Sequence, residues 1–258
     1  MNTTQAVIDV NNLVVNYDKT AALWDLTFSI LPGQIVGVIG PNGAGKSSLL
    51  KALLGFVKPL SGRVLFNGKP FKYMRKKIAY VPQKGEIDWD FPIRVIDVVL
   101  MGRYVHLKGL KWYRKADKVA AYQILKYLEM DHLAKRQVGE LSIGQQQRLF
   151  IARALMQESD IFLLDEPFAG VDKVTEQLIM SVFKKLKSKG KTLLIVHHEL
   201  ATVKEYFDST LILNTSLVAY GPTKDVCVPK YLNTAFSQTH LLFDEALKLS
   251  QKKTAGLS

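Results

Sequence analysis

Residues 40–48 read GPNGAGKSS. Three glycines, a lysine and two hydroxyls at this spacing are suited to hold a polyphosphate. Gly40, Gly43 and Gly45 let backbone N–H groups close around phosphate oxygens, with Pro41, Asn42 and Ala44 between them. A helix opening at Lys46 adds positive potential at its N-terminus. Lys46 is expected to reach the β- and γ-phosphates of a nucleoside triphosphate. Ser47, next to Ser48, is expected to ligate Mg²⁺. A second group lies at residues 161–167, IFLLDEP. There an apolar run delivers Asp165 and Glu166 at its C-terminal end. Asp165 fits the acid that holds Mg²⁺, and Glu166 fits a general base that polarises an attacking water.

These residues need strands that end at a common edge. GQIVGVIG, before the glycine-rich loop, is a short apolar run bounded by glycines and predicts a buried strand; KSSLLKALLGF predicts a helix ending near Gly55. VIDVNNLVVNY, LWDLTFSI, GRVLFNG, KIAYVPQ and KTLLIVHH also read as strands, and TEQLIMSVFKKLKSKG as an amphipathic helix with a glycine stop. From about residue 93 to residue 133 the pattern is helical. Alternating strands and helices predict an α/β core with a mostly parallel sheet, which delivers ligand-binding residues from its C-terminal edge.

The bulk composition sets looser bounds. The chain has 258 residues, 48% hydrophobic and 22% charged, and a net charge of +12. That length supplies a sizeable core. The charge calls for an anionic partner, with nucleic acid, a membrane surface or a polyphosphate all eligible. Cys227 is the one cysteine, which excludes a disulfide framework and fits a reducing compartment. The N-terminus MNTTQAVIDV has no basic region followed by a long apolar one, so no signal peptide is expected. No apolar run reaches transmembrane length.

Between the two motifs, residues 141–155 read LSIGQQQRLFIARAL. This resembles the ATP-binding-cassette (ABC) ATPases, whose signature reads Leu-Ser-Gly-Gly-Gln. The resemblance covers nearly the whole chain, with every motif in order. It implies a P-loop NTPase core of the RecA-like type, with an antiparallel β subdomain and an inserted α-helical subdomain. One nucleotide-binding domain would span residues 1–258, with the helical part at about 86–155 and a polar tail at about 240–258. ATP and Mg²⁺ would be its ligands. Tyr17 would stack on adenine. Gln83 would contact Mg²⁺ or water and sense a transmembrane partner. Asp172, closing AGVD, would speak across a dimer. His198, in VHHEL, would bond the γ-phosphate, whereas His197, one residue off, should point the other way. Ser142, Gly144 and Gln145 would face ATP held by a second cassette, identical or paralogous. Ile143 stands where the family usually has glycine. Ser142 reads as an N-cap and Ile143 as the first helical residue, a backbone that isoleucine tolerates.

The region after Gln83 and the later AYGPTKDV resemble the importers of manganese, zinc and iron. The resemblance implies a transmembrane permease, an extracytoplasmic metal-binding protein and a peripheral place on the cytoplasmic face of the membrane. Siderophore and cobalamin importers have related sequences here. A nucleic-acid-associated ABC ATPase is a rival, since residues 103–136 hold nine Lys/Arg against three Asp/Glu. The chain lacks the coiled-coil insertion or second cassette of such proteins, so no nucleic acid is expected. A small-molecule kinase is disfavoured by the signature helix and His198.

The stretch EIDWDF, residues 86–91, alternates acids with apolar residues. A calcium loop would need glycine at its sixth position and glutamate at its twelfth, where this chain has Phe91 and Asp97. The better reading is a partner surface in which Trp89 and Phe91 line a groove for the permease, against the alternative that they anchor the helical region.

Overall fold

The computed structural model describes residues 5–17, 20–86, 88–89, 91–107 and 112–236. The polar tail, Ile87 and Asp90 lie outside the described residues. Strands β1 (Ile8–Tyr17), β2 (Thr20–Ile30) and β4 (Ser61–Phe66) form an antiparallel sheet in the order β2-β1-β4. The second sheet holds β3 (Ile35–Ile39), β5 (Ile78–Val81), β6 (Ile161–Asp165), β7 (Thr192–Val196), β8 (Ser209–Asn214) and β9 (Ser216–Pro222). Its order is β5-β6-β7-β3-β8-β9, and all pairs are parallel except the edge hairpin β8-β9. The fold is therefore α/β with a mostly parallel sheet and a separate antiparallel one, as expected for a P-loop NTPase.

The central strands are buried along their whole length, because the sheet is covered on both faces. Alternate residues feed two cores. Val36, Val38, Leu163, Leu194 and Val196 face the antiparallel sheet and α1 (Lys46–Leu53). Ile35, Phe162, Leu164, Leu193 and Ile195 face the other way. That second core also takes residues of α3 (Val95–Met101), α4 (Lys115–Tyr127), α5 (Ile143–Met156) and α6 (Lys173–Ser188). The short helices α2 (Phe71–Met74), α7 (Val203–Tyr206) and α8 (Thr223–Val226) fill connections.

Helix α6 is amphipathic as predicted, burying Thr175, Glu176, Ile179, Met180, Val182 and Phe183, and the left-handed Gly190 follows its end. Helices α3, α4 and α5 pack on one another. The close approach of α3 to α5 needs Gly102, where a β-carbon would lie 2.1 Å from the Arg153 carbonyl oxygen.

The EIDWDF stretch forms no described strand, and a single 3₁₀ turn covers Lys84–Glu86. Trp89 is half-buried, with its ring edge-on to Phe150 at 5.3 Å and its Nε1 donating to the Lys84 carbonyl. Phe91 is 57% exposed. The two aromatics thus part company: Trp89 anchors the helical region, and Phe91 alone offers an open apolar surface.

Candidate active site

Strand order brings the chemistry together. β7 lies between β6 and β3, and all three run parallel. The turns after β3, β6 and β7, which carry residues 40–48, Glu166 and His198, therefore leave the same edge of the sheet side by side. Gln83 leaves that edge from β5, next to β6.

The glycine-rich loop is seated against its neighbours. A β-carbon on Gly45 would lie 2.4 Å from the Ala22 carbonyl oxygen, at a φ of +90° that strains any other residue. A β-carbon on Gly43 would meet nothing within 4 Å, so its backbone faces an open cleft. Thr215, in the β8-β9 turn, accepts a backbone bond from Trp24 and donates one to Ala44, fixing the loop between the two sheets.

The cleft has a volume of about 410 Å³ and is lined by residues 42–48, Tyr17, residues 20–22 and Glu166. Tyr17 reaches its rim because it pairs with Thr20 at the open end of β1 and β2. The small residues Ala21 and Ala22 were not singled out in the sequence, although a paired run of small side chains is what a close backbone approach needs.

Lys46 is buried, and its Nζ donates to the carbonyls of Gly40 and Pro41, both at 2.9 Å. Burial pushes its pKa down, against the opposing pull of Glu166 and Asp165. Ser47 Oγ donates to Asp165 Oδ1 at 3.2 Å, and Asp165 is fully buried at the end of β6. A hydroxyl and a carboxylate side by side are hard oxygen donors and suit Mg²⁺. Among the described residues no group of three His, Cys, Asp or Glu side chains could hold a metal. A cation here would draw its further oxygens from phosphate and water. Gln83 Nε2 donates to Glu166 Oε2 at 3.2 Å, which turns the Gln83 carbonyl oxygen to other use. Glu166 has φ +50°, an uncommon conformation for a residue with a side chain, and the Ala169 N–H closes the turn on its carbonyl.

The remaining predicted residues lie outside the cleft lining. His198 is exposed just beyond β7. His197 is buried and points away from it: the strand ends at Val196, but the alternation of sides continues. The His197 ring sits among Phe168, Tyr206 and Phe207, with Nε2 2.7 Å from Thr202 Oγ1. The Thr202 hydroxyl donates to the Glu199 carbonyl, so His197 Nε2–H is the donor between them. Ser142 caps α5 in a capping box. Its Oγ accepts from the Gln145 N–H, and its own N–H donates to Gln145 Oε1 at 3.0 Å. Gly144 rests on Thr175 in the first turn of α6. Asp172 caps α6, accepting from the Thr175 N–H at 2.8 Å, and that bond leads in holding its carboxyl below the usual range. The signature turn and the Asp172 turn thus lean on each other, outside the lining of the cleft.

Comparison with known proteins decides the family. Residues 23–169 match the ABC transporter family. The chain belongs to that family. It is 50% identical over 224 residues to the manganese transport system ATP-binding protein MntB of Halalkalibacterium halodurans, covering 87% of this chain and 89% of that protein. It is 46% identical over 233 residues to the zinc transport system ATP-binding protein TroB of Treponema pallidum, covering 90% and 88%. Among solved structures it is similar to a chain of an ABC transporter described as metal-chelate type, in an inward-facing conformation. That match has a TM-score of 0.80 and 32% identity, covering 90% of each chain.

Within this ABC protein, Ile143 is the first residue of α5, 44% exposed, with its Cγ2 close to Gly170. Ser142 has φ −64° and ψ 162°, an ordinary N-cap backbone, so no left-handed residue is required in this turn. Ile143→Gly is expected to leave steady-state ATPase equal to or faster than wild type, at a stability cost under about 1 kcal/mol. A tenfold loss of turnover would show that the isoleucine holds the turn rather than being tolerated by it.

His197 gives the cassette a pH signature. Burial, then the neighbouring His198, pushes its pKa from 6.5 down to about 4, against the pull of Glu176; Lys173 adds a small further lowering. The unfolded chain therefore binds a proton between these values that the native ring refuses. The contribution is full above pH 6.5 and lost as pH falls toward 4, on the order of 3 kcal/mol. Urea unfolding midpoints measured across this window should fall more steeply for wild type than for His197→Asn. Parallel slopes would contradict the buried neutral ring.

Proposed function

We propose that this chain is the ATP-hydrolysing subunit of an ABC importer that powers uptake of a divalent metal ion, manganese, zinc or iron, through a partner permease. The observation that carries hydrolysis is Glu166, which lines the cleft with Lys46 and Ser47 and accepts a bond from Gln83. The metal assignment rests on the relatives that carry manganese and zinc transport in their names.

In this reading the loop amides of residues 40–48 and the start of α1 bind the phosphates, and Lys46 exchanges its carbonyl partners for phosphate oxygens. Tyr17 stacks on the base. Ser47, Asp165 and Gln83 hold Mg²⁺, which when bound neutralises phosphate charge. Glu166 takes the proton of the attacking water, and His198 bonds the γ-phosphate. Ser142, Gly144, Gln145 and Asp172 face a second cassette, and their outward position supports a head-to-tail pairing in which each ATP is shared. ATP then favours the closed pair and hydrolysis releases it. Gln83 hands the state of the site to the permease through the adjoining segment, where Phe91 is exposed.

Among the described residues no helix is long and apolar enough to cross a membrane. The cassette is placed on the cytoplasmic face through its permease, with an extracytoplasmic metal-binding protein completing the system. The test is reconstitution of cassette and permease in lipid vesicles, with the metal-binding protein supplied on the extracytoplasmic side and Mn²⁺, Zn²⁺, Fe²⁺ and a ferric chelate as separate cargoes. ATP-dependent uptake of a divalent ion supports the reading; uptake of the chelate alone overturns the metal assignment.

A further inference from the structure

Glu176 lies in the first turn of α6, 6% exposed and outside the nucleotide cleft. Its carboxylate accepts from the Tyr206 hydroxyl at 2.6 Å through Oε1 and from Lys173 Nζ at 3.0 Å through Oε2. Lys173 also donates to the Tyr206 oxygen at 3.4 Å. Tyr206 ends α7, a helix of four residues that follows the His198 turn. Thirty residues of sequence separate Glu176 from Tyr206. A helix of one turn has little stability of its own, so its place is set by what ties it down.

The same two turns meet a second time. Phe168, two residues after Glu166, packs edge-on against His197 at 5.6 Å and lies tilted against Tyr206 at 5.7 Å. His197 reaches across to Thr202, just before α7. One segment therefore carries Glu166 and Asp172, the other carries His198, and an aromatic wall and a hydrogen-bonded carboxylate join them. Packing alone would be served by phenylalanine at position 206. The hydroxyl matters only to the polar link, and a buried carboxylate is a poor way to gain stability.

We propose that Tyr206 and Glu176 are positioning residues for hydrolysis, forming a brace that fixes the His198 turn relative to the turn bearing Glu166 and Asp172. The proposal rests on the ATPase reading above.

The test uses the cassette reconstituted with its permease. Tyr206→Phe and Glu176→Ala should each lower ATPase kcat about tenfold, with KM for ATP within about twofold, because misplacement affects chemistry more than binding. The double variant should be no slower than either single, since both break one link. Glu176→Gln, whose amide oxygen still accepts from Tyr206, should recover most of the rate. A kcat for Tyr206→Phe within twofold of wild type overturns the brace, as does a fall in melting temperature without a change in kcat. So does additive loss in the double variant. Glu166→Gln is run alongside. If that variant is inactive while Tyr206→Phe is normal, only the brace fails; if it turns over like wild type, the reading beneath the brace fails with it.

Discussion

Glu166→Gln should reduce steady-state ATPase of the reconstituted transporter by about 10²- to 10⁴-fold while leaving ATP affinity within a few-fold of wild type. The substitution removes a proton acceptor and little else. Glutamine has the same length, and its amide oxygen can still accept from Gln83 Nε2, the 3.2 Å bond seen for Glu166. The backbone at φ +50° is equally demanding of both side chains, so the comparison isolates charge from conformation. Alanine or glycine would confound the two. ATP should then accumulate between paired cassettes, trapping the closed dimer, which size-exclusion chromatography with radiolabelled ATP would reveal. Wild-type turnover in this variant, assembled with its partners, would remove Glu166 from the role of base.

Lys46→Ala should weaken ATP binding by about 100-fold or more. Truncating one partner of a buried charged pair costs on the order of 3 kcal/mol, and each 1.4 kcal/mol is a factor of ten. In this chain the lysine is buried and held on two loop carbonyls. Its loss removes both the cation proposed to meet phosphate and the tie on the Gly40 and Pro41 carbonyls. Isothermal titration with a non-hydrolysed ATP analogue gives the number directly. A dissociation constant within threefold of wild type would show that the loop amides carry the affinity without the lysine. The two variants form a pair with opposite signatures: Glu166→Gln keeps its binding and loses most of its turnover, whereas Lys46→Ala loses most of its binding.

Much of this arrangement was legible before any coordinates. The run IVGVI is apolar at every position and too short for a buried helix, which fits a strand covered on both faces, and the glycine spacing after it points to a phosphate ligand. Ser142 could be read as a cap because capping depends on residues three apart. Other features were hidden because they depend on contacts far along the chain. Trp89 and Phe91 look alike in sequence, and only Phe150, some sixty residues on, separates the anchored ring from the exposed one. The Tyr206–Glu176 bond joins two helices that no local pattern pairs. The support that Thr215 gives to Ala44 follows from β8 lying beside β3, which strand order alone determines.

The left-handed turn at Glu166 sets fold against function at a single residue. A backbone at φ +50° accepts glycine or asparagine more readily than glutamate. Drift to either would relax the chain and add a little stability while removing the carboxylate proposed as the base. Folding therefore does not maintain a glutamate here; in the proposed role of base, selection for turnover does. A cassette freed from the need to hydrolyse ATP would lose this residue early, and the protein left behind would be the sturdier one.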